Sequence, residues 1–151
     1  MYQRHRQVLP DFDRNEPLYL RYGREDFVEG QLAPAAIRFP RTSVNRGNLS
    51  EPEDALFAED GKFNGLGVVA FEVSDIPPVV VQEQGPTYAS FMRHVLLADN
   101  YSHSEIWSDH TTQTGNYREP SRTVKLKFRI HLCQRITQES IRIEAVRNRA
   151  T

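Results

Sequence analysis

Between Arg24 and Leu66 the chain is broken by Gly30, Pro34, Pro40, Gly47, Pro52, Gly61 and Gly65, and this punctuation limits its folding more than any other feature. Proline lacks an N–H and fixes φ, and glycine costs entropy inside an ordered element, so neither suits a helix or strand interior. Long elements have little room in this stretch. The exception is "SEPEDALFA" (50–58). There Ser50 is placed to cap a helix, Glu51, Glu53 and Asp54 suit a helix N-terminus, and Pro52 is tolerated in the first turn. One or two helical turns are expected, ending near Asp60 and Gly61.

Other segments carry clearer periodicity. "PLYLRYG" (17–23) alternates Leu18, Leu20 and Tyr22 against Tyr19 and Arg21, which predicts a strand. "LGVVAFEV" (66–73) is β-branched and aromatic, ends at Pro77-Pro78, and is followed by a second β-branched run, "VVVQEQ" (79–84). "YASFMRHVLLAD" (88–99) places Phe91, Val95 and Leu96 at helical spacing and predicts a short helix. After a loop over 110–121, "TVKLKFRIHLC" (123–133) alternates Val124, Leu126, Phe128, Ile130 and Leu132 against Lys125, Lys127, Arg129 and His131. That is a period of two and predicts a strand, with "IRIEAV" (141–146) returning as its hairpin partner. The sum is an α+β fold: a single domain, mostly antiparallel sheet, with one or two short helices and long irregular loops. Residues 1–16 are polar and aperiodic, an N-terminal arm that orders only where something holds it. Residues 17–151 form the domain.

Composition bounds the setting. A chain of 151 residues is one domain by length and can bury enough surface for a core without staples. Cys133 is the single cysteine, so neither an intrachain disulfide nor a cysteine-based zinc cluster can form. Arg4 and Arg6 are not followed by an apolar run, and nothing approaches the roughly 20 apolar residues of a membrane span. A cytoplasmic protein with no membrane partner is expected. Charge is uneven: residues 51–110 hold eleven acidic residues against Lys62 and Arg93, and 121–151 hold eight basic residues against Glu139 and Glu144.

Three clusters could carry chemistry. In "ADNYSHSEIWSDH" (98–110), His103 and Glu105 share a strand face, so Glu105 could orient His103 as a general base. His103 and His110 are the candidate ligands if a divalent metal is the cofactor. The loop "RFPRTSVNRGN" (38–48) brings Arg41, Ser43, Asn45 and Arg46, beside Arg38, Thr42 and Gly47, into the mix of cations and neutral donors that suits an anion. Lys125, Lys127 and Arg129, with His131, would form a basic strand face for nucleic acid or an acidic partner. The H-E-x-x-H, P-C-x-x-C, G-x-S-x-G and G-x-G-x-x-G signatures are missing, which argues against zinc proteases, zinc deaminases, serine hydrolases and dinucleotide enzymes.

The succession "SVNR" (43–46), "EPED" (51–54), "GVVAF" (67–71) and "NYSHSEI" (100–106) resembles short uncharacterised bacterial proteins with an S-V-x-R, P-E-x, G-V-A, N-x-x-H-x-x-I order. The resemblance spans roughly 33–106. It implies that Ser43, Asn45, Arg46, Asn100 and His103 belong to one site, and it implies no activity. Since no motif is specific to an enzyme, the leading expectation is a small non-catalytic adaptor of a multi-component bacterial system, docking a larger protein or a second copy of itself. The alternative is a small hydrolase or phosphotransfer-type enzyme, with Arg41 and Arg46 holding an anion beside His103 and Glu105. A third reading is a nucleic-acid binder using the basic C-terminal segment.

Overall fold

In the computed structural model, described over residues 12–39, 41–56, 65–80, 87–95, 102–112, 115–116 and 118–146, the chain forms a seven-stranded antiparallel sheet with one α-helix packed on it. The strands are β1 (Pro17–Tyr22), β4 (Arg41–Arg46), β5 (Gly67–Glu72), β6 (Val79–Val80), β7 (Tyr88–His94), β8 (His103–Thr111) and β9 (Ile141–Ile143), in the order β6-β7-β8-β4-β1-β5-β9. A separate two-stranded hairpin is made by β2 (Phe27–Val28) and β3 (Gln31–Leu32), and the helix is α1 (Arg122–Cys133). The α+β class read from the sequence is the observed one. No helix among the described residues is long and apolar enough to cross a membrane.

Strand alternation builds the core. Leu18, Leu20 and Tyr22 on β1, Val44 on β4, Val69 and Phe71 on β5 and Ile106 on β8 face α1, which answers with Val124, Phe128 and Leu132. The outer side of β1, β5 and β9 is covered by the 3-10 segment Pro52–Leu56, whose Ala55 is buried. The expected helix at 50–58 is thus one 3-10 segment as far as it is described; its expected end near Asp60 and Gly61 lies outside the described residues. Ser50 does not cap it. Its hydroxyl donates to the Arg46 carbonyl at 2.8 Å, and Asp54 takes the Glu51 N–H at 2.8 Å instead.

Two segments depart from the sequence reading. Residues 123–133 are a helix and not a strand. Apart from Cys133 their apolar residues fall on even positions, and a helix buries Val124, Phe128 and Leu132 at spacing of four while Leu126 and Ile130 stay 51% and 40% exposed. Ser121 caps the first turn, its hydroxyl accepting the Val124 N–H at 3.3 Å. Consequently 141–146 is no hairpin partner to it; Ile141–Ile143 pairs with β5. Residues 88–94 are strand and not helix, because pairing with β8 along their length, which local spacing cannot register, outweighs the helical pattern. The rest of that expected helix, 96–99, lies outside the described residues, as do 81–84 of the second β-branched run.

The N-terminal stretch is held from Phe12 onward. Glu16 is buried and accepts from Arg46 twice, Nε to Oε2 at 2.9 Å and Nη2 to Oε1 at 2.7 Å, with both side chains essentially inaccessible. Phe12 lies against the same guanidinium, 4.0 Å from the ring centroid. The backbone joins in, Val73 N–H donating to the Glu16 carbonyl and Gly47 N–H to the Pro17 carbonyl. A side chain at Gly47 would stand 2.4 Å from the Pro17 ring, so only glycine lets the chain pass there. Residues 1–11 of the expected arm lie outside the described residues.

Breaking a buried, bidentate ion pair from one side strands the other charge. Arg46→Met should therefore destabilise the fold by about 3–5 kcal/mol in urea denaturation, with Glu16→Leu added to it recovering most of the loss. Burial pushes the Cys133 thiol up to about 11. The folded state thus disfavours the thiolate, so stability should fall as pH rises from 9.0, the ordinary thiol value, towards 11. A thiol reagent at pH 8 should modify Cys133 only after unfolding.

Candidate binding face

The outer side of β4, β8 and β7 carries an aromatic and arginine cluster centred on Trp107. Cross-strand register sets it: Arg41 and Phe91 stand directly opposite Trp107 on either side, and Arg93 stands opposite Glu105. A bulge completes it. Between the pairs Ala89↔His110 and Phe91↔Trp107, β7 contributes Ser90 while β8 contributes both Ser108 and Asp109. The extra residue shifts the alternation, so Trp107 and His110, three apart, come to the same face instead of opposite ones.

The rings then pack. Trp107 and His110 lie nearly parallel with centroids 5.7 Å apart, Phe91 meets His110 edge-on at 5.5 Å, and Phe91 tilts against Trp107 at 6.0 Å. The Arg41 guanidinium lies 3.5 Å from the Trp107 ring centroid and that of Arg93 lies 4.5 Å from it. Below them Asp109, 3% exposed, binds outward with both oxygens, taking Arg41 Nη2 at 3.1 Å and contacting His110 Nδ1 at 3.0 Å. Trp107 Nε1–H donates to Glu105 at 2.9 Å. The arrangement fixes two cations and three rings on a surface where Phe91 is 37% exposed.

The residues singled out by sequence are divided by this geometry. Ser43 stands opposite Glu105 and Asn45 opposite His103, so these four share the outer face of β4 and β8. Arg46 points the other way, into its pair with Glu16, and Arg41 is engaged by Asp109 and Trp107. The expected anion-binding loop is therefore largely a strand, β4, and its two arginines are not directed to one ligand. Asn100, which the resemblance added to this site, lies outside the described residues. Glu105 is bonded to Trp107, while His103 Nδ1–H donates to the Val95 carbonyl at 3.0 Å, so the bond that would orient His103 runs to backbone.

His103 and His110 sit seven residues apart on β8, on the order of 20 Å at ~3.3 Å per residue, too far to share a metal. Among the described residues no three His, Cys, Asp or Glu side chains gather in a way that could hold an ion. On the helix, Lys125 reaches Glu119 at 3.4 Å and Arg129 Nε donates to the Ile37 carbonyl at 2.9 Å, with Lys127 turned away from both by helical periodicity. The basic strand face expected of Lys125, Lys127 and Arg129 does not form, because the segment is helical. What sequence reading passed over is the Phe91, Arg93 and Trp107 grouping. Its signal was the lone tryptophan, but its neighbours come from strands read otherwise.

No protein-family model matches this chain, and comparisons with curated proteins and with solved structures likewise return no match.

Asp109 supports both Arg41 and His110. Asp109→Ala should cost about 2–3 kcal/mol in urea denaturation and shift Trp107 emission to the red, whereas Arg93→Ala, on the exposed side of the ring, should cost under about 1 kcal/mol.

Proposed function

We propose that this protein is a small non-catalytic adaptor that docks a larger protein through the outer face of β4, β8 and β7. The observation that carries this reading is the Trp107 cluster. Tryptophan and arginine dominate the energetic centres of protein interfaces, where rigid rings and preorganised guanidinium groups lose little entropy on binding. Here the rings are braced from below by Asp109 and from both sides by neighbouring strands.

Electrostatics favours a protein over nucleic acid. Among the described residues Arg41 and Arg93 are matched on this face by Asp109 and Glu105, without the excess positive charge that phosphate backbones require. Two guanidinium groups also lie over the Trp107 ring, where a base would have to stack. The catalytic alternative has less support, since His103 and Glu105 do not bond each other. A lone cysteine suits a reducing compartment, which fits a cytoplasmic adaptor.

The test is native mass spectrometry of the protein purified from its own host, beside a Phe91→Ala/Arg93→Glu double variant. One stoichiometric protein partner, bound by the wild type and lost by a folded double variant, is the expected result. A partner retained by the variant sinks this face as the docking surface. Oligonucleotide binding that weakens steeply with salt would replace the reading with a nucleic-acid one.

A further inference from the structure

The buried stripe of α1, Val124, Phe128 and Leu132, leaves the opposite side of the helix to solvent, and that side is not polar throughout. Leu126 and Ile130, four apart, stand on it, both exposed. Arg122 and Arg129, four before and three after Leu126, are its neighbours on the helix surface. The helix carries Arg122, Lys125, Lys127 and Arg129 and no acidic residue. Lys125 pairs with Glu119 at 3.4 Å and Lys127 is engaged as well, so the excess charge rests on the two arginines. Arg129 Nε donates to a neutral group, the Ile37 carbonyl, at 2.9 Å. Among the described residues no carboxylate pairs with either arginine.

The opposite charge lies on the other layer of the molecule. The 3-10 segment Pro52–Leu56 covers the outer side of the sheet, away from α1, and Glu51 precedes it. Glu51, Glu53 and Asp54 are exposed, while Pro52 and Leu56, four apart, are half-buried and keep apolar surface in water. Asp54 accepts the Glu51 N–H, but the Glu51 and Glu53 carboxylates have no ion-pair partner among the described residues. Arg21 lies half-buried beneath the segment, donating to the Ala55 carbonyl at 3.5 Å. Burial, and then the charge of Glu51, push the Tyr19 hydroxyl up; Arg142 opposes them and Glu53 adds to them. The carboxylates outweigh the arginine there.

We propose that α1 of one copy of this chain docks on residues 51–56 of a second copy. Leu126 and Ile130 meet Pro52 and Leu56, and Arg122 and Arg129 face Glu51 and Glu53. The match is of two kinds, an apolar pair to an apolar pair and cations to carboxylates. Two α1 helices cannot serve each other in this way, because both are basic. Since α1 and 51–56 lie on opposite sides of the sheet, a copy bound on one side leaves the other open. The contact is therefore heterologous, head to tail, and copies add in a row rather than closing as a two-fold dimer. Its area is small, which makes the association weak and sensitive to salt. Neither surface holds a residue of the Trp107 cluster, so the inference does not rest on the docking reading.

The experiment is sedimentation equilibrium of the full chain over a range of concentrations. At about 0.01 M salt, where charges act over about 30 Å, the mass should rise with concentration beyond that of a dimer. At about 0.15 M salt the association should be about tenfold weaker. Arg122→Glu/Arg129→Glu and Glu51→Lys/Glu53→Lys, checked as folded by circular dichroism, should each stay monomeric, since each sets like charge against like. Their equimolar mixture should associate again. Should the Arg129 change unfold the chain, Arg122→Glu alone, at an exposed position in the first helical turn, makes the same comparison with Glu53→Lys. Leu126→Ser should weaken the wild-type association about threefold or more. Phe91→Ala/Arg93→Glu should associate as the wild type does; its failure to do so moves the contact to the Trp107 face and overturns this one. A wild type monomeric at low salt, a dimer that grows no further, charge variants that associate like the wild type, or a mixture that stays monomeric each overturn it as well.

Discussion

Arg46 and Glu16 set two full charges against each other where almost no water reaches, and much of the domain is arranged around that fact. Such a pair is tolerated only when its geometry is bidentate and its other hydrogen-bonding groups are met. Asn48 N–H also reaches Glu16 Oε2 at 3.4 Å, and other groups of Arg46 enlist further segments. Phe12 lies against the guanidinium, Ser50 Oγ and Leu49 N–H donate to the Arg46 carbonyl, and Arg46 N–H donates to the Ser102 carbonyl. Arg46 thus joins the N-terminal stretch through its charge, and the turn after β4 and the residue before β8 through its backbone. A hydrophobic residue of similar size could fill the space. It could not specify which three segments meet there.

The Trp107 cluster depends on a different device, the extra residue in β8. Regular alternation would send Trp107 and His110 to opposite sides of the sheet and place Asp109 outward. The bulge tucks Asp109 inward with Ser108 and returns His110 to the side of Trp107. One irregularity therefore supplies both the stacked rings and the buried carboxylate that braces them. It is also what makes β8 poor reading as a strand pattern, since its periodicity changes phase part-way.

Legibility followed how local each cause was. β1 and β5 were readable because alternation and β-branching there agree with their final burial. The segment 123–133 was not, since a set of apolar residues all on even positions satisfies a strand template and also contains the i, i+4, i+8 stripe of a helix. Ser121 was the local feature that distinguished them. For 88–94 the deciding partner, β8, lies outside the segment, and nothing within the segment reports it. The candidate site shows the same division. His103 and Glu105 share a face, as their spacing suggested, and register on the adjacent β4 sets Asn45 and Ser43 opposite them. The orientation of Arg46 and the recruitment of Arg41 by Asp109 are long-range, and so were not to be found in residues 38–48.

The pairing of β4 with β8 has a kinetic consequence. Arg41 meets Trp107 and Asn45 meets His103, so the middle of the sheet closes only when residues some sixty positions apart find each other. The entropy of closing so large a loop is spent before most of the burial that repays it has formed. Topologies of this kind fold in about milliseconds to seconds, against microseconds for chains whose contacts are local. The Trp107 face, built across that central pair of strands, forms only when this long-range pairing forms, and no fragment ending before β8 contains it.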